Sequence, residues 1–490
     1  MMGKKIYLVY PKKIGTIAPE IYGHFAEHIG GVYYDGLWVG KNSDVPNING
    51  FRKEIVEKLR HIKAPVIRWP GGCFAETYDW RDGIGENRPT RINWWTKWDG
   101  RYESNEVGTH EFMDLCEMVG AKPYFAANIT SVTPMQILHW MDYCMSPKGT
   151  TTLAKEREAN GHPEPFDIPF WGVGNENWGG GGNMTEEFYA SQFKRFDMIM
   201  KTAFPGREYI ICGSDGEDYA WTDGVMREVK KAHYKPELQG YAMHYYTSLG
   251  AEKQNDNPID FGVDGWNKLI KRAANLDIVI RRNWNIIKGH GLVSEPKLIV
   301  DEWGCWHRDG SGPSKGYNLF EQQSTMRDAV VAALSLNIFN NHCDKVRMAN
   351  IAQVCNNLHC LFLASGDKCI TTPTYHVFDM FKAHQNGECI ETIVENNSEI
   401  EKSVSVSASV KDGRTTITFA NLSCTEDAEI NLEAFGSSMP ESAQGTLLYN
   451  DNMCAHNTFE NPDVVTPSNI TVDLTKAFVL PKTAVLAIEF

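Results

Sequence analysis

The sequence predicts an α/β protein: a (β/α)8 TIM barrel followed by a C-terminal antiparallel β-sandwich of jelly-roll-like type. Three observations carry this. Strand-like and helix-like segments alternate eight times between residues 19 and 385. From about Asn386 the texture changes to alternating polar and apolar residues broken by turn signals such as Asp412-Gly413 and Asn450-Asp451. No G-x-G-x-x-G follows the first strand, which counts against an open doubly wound sheet.

Taken in order, IYLVY (Ile6 to Tyr10) reads as a strand with no helix behind it, so residues 1–18 are expected to pair with the C-terminal β domain. The barrel, residues 19–385, offers eight candidate strands: Ile21 to Ile29, Pro65 to Trp69, Pro123 to Asn128, Phe170 to Val173, Tyr209 to Gly213, Gly240 to Tyr246, Lys297 to Glu302 and Met348 to Val354. Helical patterns fall between and after them, at Phe51 to Ile62, His110 to Val119, Pro134 to Met145, Glu186 to Phe204, Asp223 to Ala232, Trp266 to Ile287, Gln322 to Asn341 and Thr374 to His384. Apolar residues recur there at three-to-four spacing, as in Ile55, Leu59 and Ile62. Residues 386–490 carry SVSVSASV, TTITFANL, EDAEINLEAF, GTLLYN, NITVDL and AVLAIEF, each a strand of a sandwich.

Composition narrows the partners. The 490 residues carry a formal charge of −14 with no run of Lys and Arg, which excludes a nucleic acid or an anionic membrane and favours a neutral substrate. MMGKKIYLVYPKK holds too few apolar residues for a signal peptide, so a cytoplasmic location is expected. Twelve scattered cysteines form no C-x-x-C pair, so neither a metal site nor a cofactor is expected.

Chemistry in such a barrel gathers at the C-terminal ends of the strands. The polar residues found there are Glu27 and His28, Arg68 and Cys73, Asn128, Asn175 and Glu176, His244 and Tyr246, Glu302, and Gln353. Three carboxylates and no lysine point to acid–base or carboxylate-nucleophile work. Glu176 and Glu302, from strands four and seven, are the pair that could cleave a glycosidic bond, one protonating the leaving oxygen and the other attacking carbon or activating water. The acid then needs a raised pKa, through burial or the partner's charge.

Side-chain alternation sets two expectations. Leu298 and Val300 share parity with Glu302, which directs Glu302 into the barrel and Asp301 towards the helices. Asn175 and Glu176 cannot both point inward from a regular strand, so the chain must bulge or leave the sheet by Gly174. The long loops after strands two and six are expected to bind substrate, and the first carries Trp80, Trp94, Trp95 and Trp98, to stack on sugar rings or to pack against the barrel rim.

With these residues in place, the chain resembles the α-L-arabinofuranosidases of glycoside hydrolase family 51. The likeness runs from IYGHFAEHIGG through RWPGGCFAETYDWRDGIG, WGVGNENWGGGG, MHYY and VDEWG to ANIAQVCN. It implies a retaining, exo-acting enzyme with Glu176 as acid/base and Glu302 as nucleophile. It also implies a furanose pocket of Glu27, Arg68, Asn175, Tyr246 and Gln353, with His244 either facing the nucleophile or standing behind the residues that touch the sugar. Some members have Asn where this chain has Cys73, a poorer hydrogen-bond partner that still lines the pocket. The resemblance further implies arabinose-bearing oligo- or polysaccharide substrates and a homo-oligomer, a hexamer or trimer of dimers. Two readings stay open beside it: a retaining endo-β-1,4-glucanase or xylanase on the same barrel, and a sugar-binding barrel without turnover.

Overall fold

The computed structural model describes residues 2–96, 102–250, 252 and 256–490. Eight parallel strands close a barrel: β1 (Gly23–Phe25), β2 (Val66–Trp69), β3 (Lys122–Ala127), β4 (Phe170–Val173), β5 (Glu208–Cys212), β6 (Gly240–Thr247), β7 (Lys297–Cys305) and β8 (Val346–Ala352). The strand order is β5-β6-β7-β8-β1-β2-β3-β4, with β8 paired to β1.

The barrel is filled rather than hollow. Val66, Tyr124, Phe170, Ile210, Ala242, Ile299 and Met348, one each from β2 to β8, form a buried layer inside it. Burying a large apolar side chain contributes about 1.5–3 kcal/mol, so this plug makes the strand ends a rigid platform. The opposite faces of β2 to β8 pack into the larger core shared with the helices.

Along β7 the inward set of side chains is the opposite of the one expected. Ile299 belongs to the inner layer, whereas Leu298 and Val300 pack on the helix side. Asp301 therefore points into the barrel, where Tyr124 Oη donates to its Oδ2 at 2.9 Å. Glu302 enters as well, because the β6–β7 register slips by one residue: Met243 pairs with Val300 but His244 with Glu302. That bulge re-aims the strand end and puts two consecutive carboxylates on one side.

Other differences are local. The first strand is preceded by a 3-10 turn at Pro19–Tyr22, so it is shorter than Ile21 to Ile29. The long helix predicted over Trp266 to Ile287 is two, Val263–Ala274 and Leu276–Gly289, divided at Asn275. A further helix, Thr152–Ala159, is capped by the Thr151 side chain and has few buried residues to announce it. Among the described residues, no helix is long and apolar enough to cross a membrane.

The C-terminal part is a nine-stranded sheet that wraps its own core of Ile390, Val406, Ile417, Phe419, Ile430, Leu480 and Ile488. The N-terminal strand, Met2–Thr16, lies within that sheet, antiparallel to Glu388–Val394 and parallel to Ala428–Phe435, and buries Ile6 and Leu8. In Val404–Lys411 the valines and Ala408 face this core while serines face the barrel. Asn337, on helix Met326–Asn341, meets them: its Oδ1 accepts from Ser407 Oγ at 2.9 Å and from Thr418 Oγ1 at 2.7 Å. A helix that is buried almost all round can thus keep polar residues: Asn337 and Asn340 find partners across the domain junction, and Arg327 and Asp328 find theirs within the barrel.

Candidate active site

The loops above β1, β2, β4, β6, β7 and β8 surround a cavity of about 260 Å³. Its polar wall is Glu27, Cys73, Glu176, Tyr246, Glu302 and Gln353, and its apolar rim includes Ile29, Trp95, Trp306, Phe320 and Leu358.

The departure from strand geometry expected at β4 is present. Gly174 has φ +93°, and a Cβ there would lie 2.1 Å from Asn177 Oδ1, so glycine is required twice over. Glu176 itself has φ +42°, uncommon for a residue with a side chain. With the backbone turned in this way Asn175 and Glu176 both reach the same site.

Arg68, 1% exposed, is the hub. Its Nη1 donates to Glu302 Oε1 at 2.8 Å and its Nη2 to Asn175 Oδ1 at 2.6 Å, while Nε lies 3.4 Å from Asp301 Oδ2. Phe25 stacks under the guanidinium, its ring centroid 4.7 Å away. The other oxygen of Glu302, Oε2, accepts from Tyr246 Oη at 2.6 Å. Glycine at 72 lets the β2 loop pass close by, since a Cβ there would sit 2.7 Å from Glu302 Oε1.

His244 lies between the two carboxylates. Its Nδ1 is 2.9 Å from Glu176 Oε1 and 3.5 Å from Glu302 Oε2. Cys73 Sγ donates to the remaining oxygen of Glu176 at 3.3 Å. Glu27 is held by the Phe74 N–H at 3.0 Å and by Gln353 Nε2 at 3.3 Å, and its own N–H donates to Gln353 Oε1 at 2.8 Å.

The site therefore sets four carboxyl groups (Glu27, Glu176, Asp301, Glu302) against two cationic ones, Arg68 and His244. The excess negative charge appears at Glu27, which burial, then the neighbouring Glu302, pushes up to about 8. Glu176 behaves otherwise: burial acts to raise it, but the hydrogen bond and charge of His244, with Cys73 and Arg68, hold it below the ordinary carboxylate value. His244 is raised; burial opposes this, and Glu302 and Glu176 overcome it. The raised value expected at Glu176 is thus not found, because the imidazole beside it holds the carboxyl down.

Two residues singled out at strand ends stand apart from the cavity. His28 packs between Glu103 and Trp69, accepting from Trp69 Nε1 at 3.0 Å. Asn128 caps its own loop through Thr130, Ser131 and the Tyr78 carbonyl. Of the loop tryptophans, Trp80 is buried with its Nε1 on the Gln136 carbonyl, Trp94 is exposed, Trp95 lines the cavity, and Trp98 lies outside the described residues.

Sequence reasoning missed Trp306, Phe320 and Leu358, which form an apolar patch with Phe25 and Ala352 against Tyr246. Phe320 and Leu358 have φ of +55° and +48°, so two residues of the cavity rim carry backbone strain. A signal existed for Trp306, four residues past Glu302 on the same strand end. Phe320 and Leu358 sit in irregular loops and had none.

Comparison with known proteins gives concordant results. Residues 58–258 match the family model described as an α-L-arabinofuranosidase 1 domain, and residues 301–483 match the α-L-arabinofuranosidase C-terminal domain. An intracellular exo-α-L-arabinofuranosidase of Bacteroides ovatus is 37% identical over 462 residues, 92% of this chain and 88% of that protein. The crystal structure of a GH51 arabinofuranosidase from Xanthomonas axonopodis pv. citri superposes with a TM-score of 0.92 at 34% identity, covering all of both chains. A bifunctional glucanase-xylanase from a metagenome library, at 13% identity and a TM-score of 0.60, shares the fold alone. On the identity to the Bacteroides protein and the extent of both matches, this chain belongs to the α-L-arabinofuranosidases of glycoside hydrolase family 51.

Proposed function

We propose that this protein is a retaining, exo-acting α-L-arabinofuranosidase that removes terminal arabinofuranosyl residues from arabinan, arabinoxylan or oligosaccharides derived from them. The observation that carries the mechanism is the closeness of the two carboxylates: one oxygen of Glu176, one of Glu302 and a ring nitrogen of His244 all lie within 4.8 Å of one another. Retaining enzymes hold their carboxyl groups about 5–5.5 Å apart, and inverting ones leave about 6.5–9.5 Å for a water. The small cavity supports exo action, since about 260 Å³ accommodates one sugar ring rather than an extended chain.

In this reading Glu302 attacks the anomeric carbon. Arg68 and Tyr246 each hold one of its oxygens, which fixes its direction. As the bond to the leaving oxygen breaks, Glu176 supplies the proton and recovers it from His244 across the 2.9 Å hydrogen bond. Water then attacks the glycosyl-enzyme, giving its proton back to the Glu176–His244 pair, and Glu302 is released. Glu27, Gln353 and Cys73 surround the ring, with Trp95 and Trp306 at the mouth, and Asn175 bears on the site through Arg68.

Chemical rescue tests the roles. Glu176→Ala should retain turnover of aryl arabinofuranosides whose leaving group needs no proton, and azide should accelerate it; Glu302→Ala should form no glycosyl-enzyme. Equal residual rates and equal rescue of the two variants would remove the assignment, and rescue of Glu27→Ala instead would move the acid to Glu27.

We further propose a cytoplasmic homo-oligomer, a hexamer or trimer of dimers, built from units 1–18, 19–385 and 386–490 with the first joined to the third. The intracellular Bacteroides relative supports the location. Light scattering coupled to gel filtration reads the assembly directly.

A further inference from the structure

Beneath the candidate site lies a carboxylate that the proposed mechanism does not use. Glu76, on the 3-10 turn Cys73–Thr77 after β2, is 1% exposed. Its Oε1 accepts the Asn175 backbone N–H at 2.8 Å and Asn177 Nδ2 at 2.9 Å. Its Oε2 accepts the backbone N–H groups of Ile129 at 2.8 Å and Thr130 at 2.9 Å. Ser131 Oγ donates to its backbone carbonyl at 2.8 Å. One side chain therefore ties the loop after β2 to the loops after β3 and β4.

All four partners of the carboxylate are N–H donors, an arrangement that suits an ionised acceptor and has no place for a carboxylic O–H or an amide NH2. Burial raises its pKa above the ordinary carboxylate value, and the four hydrogen bonds oppose that rise without cancelling it. The lattice continues outward. Asn177 Nδ2 also reaches the Gly181 carbonyl at 2.9 Å, and Thr130 Oγ1 donates to the same carbonyl at 2.5 Å. Gly180 in turn packs against Cys73, where a Cβ would meet Sγ at 2.8 Å. The segment 174–182, which turns through positive φ at Gly174, Glu176 and Gly182, has its conformation set from below by this one side chain.

We propose that Glu76 is a positioning residue that fixes where Asn175 and Glu176 stand relative to Glu302, and so controls proton delivery to the leaving oxygen. The inference rests on the acid/base role proposed for Glu176. It differs from a packing role because the contact runs through the backbone of the residue next to Glu176, and because a misplaced acid has a kinetic signature of its own. Glu76→Gln preserves size but turns one acceptor into a donor facing two donors, freeing one of the two pairs.

The test compares Glu76→Gln with the parent on two aryl arabinofuranosides, a dinitrophenyl one whose leaving group needs no proton and a methylphenyl one that needs it. General-acid assistance is worth about 10²–10⁴-fold, and a displaced acid forfeits part of it. The variant should lose about 10- to 100-fold in kcat/KM on the methylphenyl substrate and less than about threefold on the dinitrophenyl one, by the same reasoning. In a Glu176→Ala background the Glu76→Gln penalty on the methylphenyl substrate should vanish, since nothing remains to be positioned. If Glu76→Gln does not fold, Asn177→Ala, which withdraws one of the four donors and leaves the carboxylate in place, carries the same comparison with a smaller effect of the same pattern. Equal losses on both substrates, or a penalty that persists undiminished without Glu176, would overturn the proposal. Failure of azide to rescue Glu176→Ala in the parent would instead remove the acid/base reading itself, and the two failures are read from different variants.

Discussion

Replacing His244 with Phe tests how the site stores the proton it must deliver. The imidazole nitrogen is 2.9 Å from Glu176 and 3.5 Å from Glu302. Opposite unit charges about 4 Å apart at an effective dielectric near 20 attract by roughly 4 kcal/mol, equivalent to about three pKa units. In the parent the exchangeable proton belongs to the Glu176–His244 pair and is retained to a pH above 6.5, the ordinary histidine value, because His244 is raised. In His244→Phe it can reside only on Glu176, whose ordinary value is 4.5. Burial and the charge of Glu302 lift that figure without restoring what two carboxylates and an imidazole achieve together. The basic limb of kcat/KM against pH should therefore move to lower pH by about one to three units. The measurement is a pH–rate profile with a methylphenyl arabinofuranoside, alongside a dinitrophenyl control whose basic limb should shift little. Stability carries the same signature. His244, raised, contributes stability fully present below 6.5 and lost as pH climbs through its folded value; Glu176, lowered, contributes stability present above 4.5 and lost as pH falls through its own. The difference in Tm between parent and variant should peak between pH 4.5 and 6.5. An unmoved basic limb, or a Tm difference flat across that window, would refute the shared-proton reasoning.

Tyr246→Phe removes the 2.6 Å donor to Glu302 Oε2 and leaves Arg68 on Oε1. A hydrogen bond to a charged group is worth about 1.5–3 kcal/mol, so kcat/KM should fall roughly 10- to 150-fold, measured with the dinitrophenyl substrate so that only nucleophilic attack is limiting. Arg68→Ala leaves Glu302 and Asp301 buried without their cation. Breaking such a pair costs about 3–5 kcal/mol, visible as a lower midpoint in urea. Deleting residues 1–12 withdraws a strand paired on both sides and the buried Ile6 and Leu8, so the product should be insoluble or lack a cooperative transition in calorimetry; a truncated chain with the parent Tm would contradict the interleaved sheet.

Much of this architecture was legible before any coordinate. The eightfold alternation gave all eight barrel strands, Phe170–Val173 to the residue, because short apolar runs between amphipathic helices have few other uses. The parity conflict at Gly174 anticipated a break in the strand, since two neighbouring side chains cannot share a face of a regular one. Parity misled at β7 for a related reason. A barrel strand is buried on both faces, so KLIVDEWG does not reveal which alternate set points inward, and a one-residue bulge leaves no mark on composition. Leu298 and Val300 look as suited to the barrel as Ile299 does. Glu76 was invisible for a different reason: its importance lies in four N–H partners drawn from two distant loops, and ETYDW resembles any surface turn. The low-lying pKa of Glu176 likewise follows from the through-space position of His244, which strand counting places in the site but not at 2.9 Å.

The central claim is that Glu176 and Glu302 stand close enough for a double displacement, and the stereochemistry of the first-formed product tests it most directly. Proton NMR of an aryl α-L-arabinofuranoside turned over in the presence of methanol should show methyl α-L-arabinofuranoside as the initial transfer product, its anomeric configuration retained. Initial formation of the β-anomer, or of free β-arabinofuranose with no transfer to methanol, would mean a single inverting step and would contradict the account.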